Sequence, residues 1–72
     1  MNNPPGLGDV VGLPAWMQVG PVRVLDVRVD PIPGLVQVDG YEMGRLPRVE
    51  RTFRVPLVQL RRLPDPTYGG GS

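Results

Sequence analysis

Alternation of apolar and polar residues is the strongest local signal along the chain, and it points to β-strands. In "PVRVLDVRVDP" (21–31), Val22 and Val24 share one face with Arg23 opposite, and Val27 and Val29 share a face with Arg28 and Asp30 opposite. The two valine pairs are out of phase, because the step from 24 to 27 is odd. One extra residue at Leu25-Asp26 restores the alternation, the pattern of a β-bulge that bends a strand. "PIPG" (31–34) has the residues of a turn. "LVQVDGYEM" (35–43) then reads as the next strand, with Val36 and Val38 inward and Gln37 and Asp39 outward. "GRLPRVE" (44–50) breaks the pattern as a loop. Alternation resumes at 52–55, with Phe53 and Val55 inward and Thr52 and Arg54 outward.

The flanks are shorter. "GDVVGL" (8–13) predicts a short first strand opened by a turn. "PAWMQVGP" (14–21), bounded by Pro14 and Gly20-Pro21, predicts a long loop carrying the only Trp. In "RTFRVPLVQLRRLP" (51–64), Pro56 ends a strand because it has no N–H for the ladder. Leu57 and Leu60 are three apart, which suits one 3₁₀ turn with both side chains directed at the core. "RRL" (61–63) is long enough for a closing strand, and Pro64 stops it. Residues 1–7 read as a flexible arm and 65–72 as a flexible tail, leaving 8–64 as the domain.

The order of elements resembles the small SH3-like barrel: a strand opened by a Gly-Asp pair, a long loop, three meander strands, a one-turn 3₁₀ helix and a closing strand. The carriers are Gly8-Asp9-Val10-Val11, the block 21–43 and "FRVPLVQLRRL" (53–63), so the resemblance covers about 55 of 72 residues. "VPLVQLRRL" is similar to the closing segment of KOW-type modules and of the plasmid-type trimethoprim-resistant dihydrofolate reductases, which are also SH3-like. The fold implied is all-β, a small five-stranded SH3-like barrel with a single 3₁₀ turn before the last strand; an OB-like or open meander is the alternative. The reductase family uses a Val-Gln-Ile-Tyr stretch before its 3₁₀ turn and a Lys earlier. Here that strand holds Thr52-Phe53-Arg54-Val55, Val36-Gln37-Val38 comes one strand too early, and there is no Lys. No catalytic residue carries over.

Composition agrees with a β fold. Twelve Val against one Ala favour pleated strands, and ten Pro with ten Gly punctuate them. Seventy-two residues form one small domain, near the lower limit for a self-sufficient core. Without Cys there is neither disulfide nor thiolate metal site, and without His the commonest general base and metal ligand is missing. Ser occurs only at the C-terminus, and Asp9 reads as a turn residue bonding its own backbone. The acids lack metal-loop spacing. No enzyme, metal or cofactor is expected. No apolar run approaches membrane-spanning length, and "MNNPPGLGD" lacks the charge and apolar stretch of a signal peptide, so a cytoplasmic protein is expected.

Two constellations remain. Trp16 and Met17 in the long loop, with Tyr41 at a strand end, fit the aromatic grooves by which SH3 and tudor-like modules hold peptides, including Pro-rich ones. Each also fits a plain packing role. All eight basic residues are Arg, but the net charge is only +1. The densest stretch, "RLPRVERTFR" (45–54), holds four arginines against one Glu, beside Phe53. Arg45, Arg48, Arg51 and Arg54 there suit phosphates; interleaved acids elsewhere suit ordinary cross-strand pairing. The expected function is a non-enzymatic binding module that docks on a protein partner through Trp16, Met17 and Tyr41. It would serve as an accessory, regulatory or assembly protein, a phage or other mobile element being one source of such proteins. The alternative is a KOW-like nucleic-acid binder using the four arginines. A third reading is a homo-oligomer paired through "PVRVLDV" (21–27) as an edge.

Overall fold

A computed structural model describes residues 6–64. The sequence-predicted arm (residues 1–5 of it) and the tail 65–72 lie outside the described residues. Five strands form one antiparallel sheet: β1 (Val10–Gly12), β2 (Val22–Val29), β3 (Leu35–Glu42), β4 (Arg51–Pro56) and β5 (Arg61–Leu63), in the order β4-β3-β2-β1-β5. A single 3₁₀ turn, Leu57–Gln59, precedes β5, as the proline and leucine spacing predicted. A second such turn, Ala15–Met17, lies in the long first loop, where no regular element was expected. Among the described residues, no helix is long and apolar enough to cross a membrane.

The bulge sits where the phase of the valines changes. Val24 faces Gly40 across the β2–β3 ladder and Asp26 faces Asp39, so Leu25 is the extra residue. Its side chain turns to solvent. At this bend the two backbones close in, and a Cβ on Gly40 would run into the Arg23 carbonyl oxygen and Val22 Cγ1. Glycine is required there for close approach, not for its dihedral freedom. The β2–β3 turn uses the other property: Gly34 takes φ +87°, which L side chains resist.

Curling the sheet brings its two ends onto one core. Val11 and Leu13 from the β1 region join Val22, Val24, Val36, Val38, Phe53 and Val55, with Met17, Val19, Val27 and Leu60 packed against them. Each fully buried valine contributes about 1.5–3 kcal/mol relative to exposure. Two inward expectations fail at the sheet's margin. Val29 lies opposite the buried Val36 but is 87% exposed, because β2 ends there and nothing is packed over its last residue. Leu57 is also exposed, and Leu60 alone follows the 3₁₀ turn onto the core.

The outer face of β2–β4 is a polar lattice. Arg28 bonds Asp39 at 2.7 Å and lies 3.9 Å from Asp26, so one guanidinium offsets two carboxylates that the register sets opposite each other. Thr52 donates to the same Asp39 oxygen at 2.6 Å. Asp30 was expected to face solvent. It is instead closed off by Arg54, which binds both its oxygens (2.6 and 2.8 Å), by the Gln37 amide (3.0 Å) and by the Ile32 N–H (2.8 Å). The Arg54 bond chiefly, then Gln37 and the Ile32 N–H, holds the Asp30 carboxyl far below its ordinary range. Thr52 and then Arg28 lower Asp39 in the same sense.

Candidate functional site

The register decides where each candidate stands. Tyr41 lies opposite Arg23 on β2, and Arg23 lies opposite Val10 on β1, which lies opposite Leu63 on β5. These four share one face of the sheet, at the end where the 43–50 loop leaves β3. That loop folds back, and Arg48 stacks on the Tyr41 ring, 4.9 Å from its centroid. Arg51 opens β4 two residues before Phe53 and therefore shares its face. Its guanidinium lies 5.2 Å from the Phe53 centroid and caps the rim of the core.

Four sequence-predicted arginines thus divide. Arg54 is committed to Asp30 and leaves the candidate set. Arg45 makes a long ion pair with Glu42 (3.5 Å), whose other oxygen accepts the Gly20 N–H. Arg48 and Arg51 rest on aromatic rings and have no acidic partner among the described residues. Two shallow clefts of about 340 and 410 Å³ flank the loop. Arg23, Tyr41, Arg45 and Arg48 line the first; Arg45, Leu46, Pro47 and Arg51 line the second, and Glu42 borders both.

The three groove candidates do not meet as expected. Met17 packs against the core. Trp16 is 67% exposed, and its indole N–H donates to Gln59 Oε1 at 3.2 Å. Its neighbour is therefore the second 3₁₀ turn, whereas the neighbour of Tyr41 is Arg48. Beside Gln59 the turn exposes Val58 (92%) and Leu57. The sequence reading had missed Val58, because "PLVQL" suggested only core-directed leucines. The signal available was Val58 itself, out of step with both of them.

The first half of the candidate edge "PVRVLDV" is taken. β3 pairs along one side of it, and on the other side β1 pairs with Val22–Arg23 while Val24 bonds Gly8 and Asp9. The sheet's outer strands are β4 and β5. Asp9 accepts the Gly6 N–H and pairs with Arg62 at 3.3 Å, a turn and pairing role. Among the described residues, no group of three or more acidic side chains is placed to hold a metal ion. No family model, curated protein or solved structure matches the chain.

Proposed function

We propose that this is a non-enzymatic SH3-like binding module of the cytoplasm that docks on an extended, apolar or Pro-containing segment of a protein partner. The observation that supports it is Trp16, exposed yet held in place by Gln59 beside Val58. Trp is the residue type most often found at the energetic centre of interfaces, and a side chain already fixed loses less entropy on binding. The proposed site is thus Trp16, Leu57 and Val58. Met17 packs against the core, and Tyr41 neighbours Arg48.

The test is a selection from a displayed random-peptide library, run in parallel against the wild type, Trp16→Ala and Val58→Asp. Peptides enriched on the wild type and lost on both folded variants are expected. Enrichment that survives both substitutions, or none at all, would overturn the reading. Circular dichroism of each variant confirms the fold first.

A further inference from the structure

The loop between β3 and β4 carries a second surface, independent of Trp16. We infer that it binds the phosphodiester backbone of nucleic acid, through Arg48 and Arg51 with Arg45 in support. Asp30 is closed by Arg54, Asp39 and Asp26 by Arg28, and Asp9 by Arg62. Arg48 in the loop and Arg51 at the start of β4 make no ion pair among the described residues, although Glu50 lies between them in sequence, and each guanidinium lies over a ring. A guanidinium held by its face keeps its N–H edge for an incoming anion, and that edge matches phosphate bidentately.

Spacing fits a chain of charges rather than one. Arg48 lines one cleft and Arg51 the other, on opposite faces of the sheet, and Arg45 lines both, so a single strand crossing the loop at Arg45 would pass all three guanidiniums. Exposed Leu46 and Val49 stand between them, and apolar side chains there would lie against sugars. Two acids set the strength. Glu42 offsets Arg45, and exposed Glu50 stands in the loop with its charge uncompensated. Binding therefore involves about two to three phosphates, is sequence-independent, and is confined to low salt.

The test is fluorescence anisotropy of the whole chain with labelled dT20, U20 and a 20-base-pair duplex, titrated across salt, with poly-glutamate as a competitor lacking phosphate. The log–log salt slope expected is about −2 on single strands and about −2 to −3 on duplex. Arg48→Ala with Arg51→Ala together should bring it near zero, whereas Arg61→Ala, which removes one positive charge from β5, should leave it unchanged. Glu50→Gln should raise affinity several-fold. The inference fails if nothing binds at low salt, if Arg61→Ala weakens binding as much as the double variant, or if poly-glutamate competes as well as unlabelled dT20. The arms with dT20, U20 and duplex show which nucleic acid is preferred. Failure here leaves the peptide-docking proposal standing, since no residue is shared.

Discussion

Val38 and Val58 are the same residue in one small chain, and so are Arg54 and Arg51. In each pair the first belongs to the body of the sheet and the second to its periphery. Val38 is fully buried and Val58 is 92% exposed; Arg54 closes over Asp30, while Arg51 has a ring beneath it and no acid. Away from its margin, where Val29 is exposed, and its bulge, where Leu25 is, the body satisfies its own side chains, polar and apolar alike. The periphery, which is the two 3₁₀ turns and the loop into β4, leaves comparable groups without partners. In so small a domain the core has little to spare for such exposure. What is left open therefore marks where function is to be sought.

Substitutions in the body and the periphery should differ in cost. Gly40→Val should have the largest effect, roughly 3–5 kcal/mol of lost stability in urea unfolding followed by circular dichroism, since it places a branched side chain against the Arg23 carbonyl. A loss under 1 kcal/mol would mean that the bend opens easily. Val38→Ala should cost about 2–3 kcal/mol. Arg54→Ala comes next, because it uncovers the Asp30 carboxylate and removes the bond that most lowers its pKa.

That pair also sets a pH dependence. Folded Asp30 holds a proton less tightly than it does in the unfolded chain, where the ordinary value is 3.8. Its contribution is therefore complete above that value and is withdrawn as the pH falls below it toward the folded one. The thermal midpoint should decline over that acid range, and Asp30→Asn should flatten the decline. Smallest of all, Val58→Ala and Arg51→Ala should each change stability by no more than about 0.5 kcal/mol. If either matched its partner in the body, the division drawn here would collapse.

The body was legible in the sequence because it obeys period-two alternation. The valine phase slip located the bulge, and Pro56 with the Leu57–Leu60 spacing located the 3₁₀ turn and the closing strand. What alternation cannot carry is whether anything covers a given face. Val29 keeps the inward phase but stands at an uncovered end, and Asp30 keeps the outward phase but lies under a guanidinium from 24 residues away. The site was half legible for the same reason. The arginine density of 45–54 showed in the sequence, but its division into committed Arg54 and uncommitted Arg48 and Arg51 depends on cross-strand neighbours. Pairing Trp16 with Tyr41 rested on a resemblance, and the register gave each ring a different neighbour.

The Trp16–Gln59 bond has an optical consequence. The only indole of the chain is mostly in water while the protein is folded, and it remains in water when the protein unfolds. Its emission is thus a poor reporter of folding and a good one of occupancy. A peptide that settles over the ring should shift the emission to the blue with no label attached, while an oligonucleotide held by Arg48 and Arg51, which lie over other rings, should leave it unchanged.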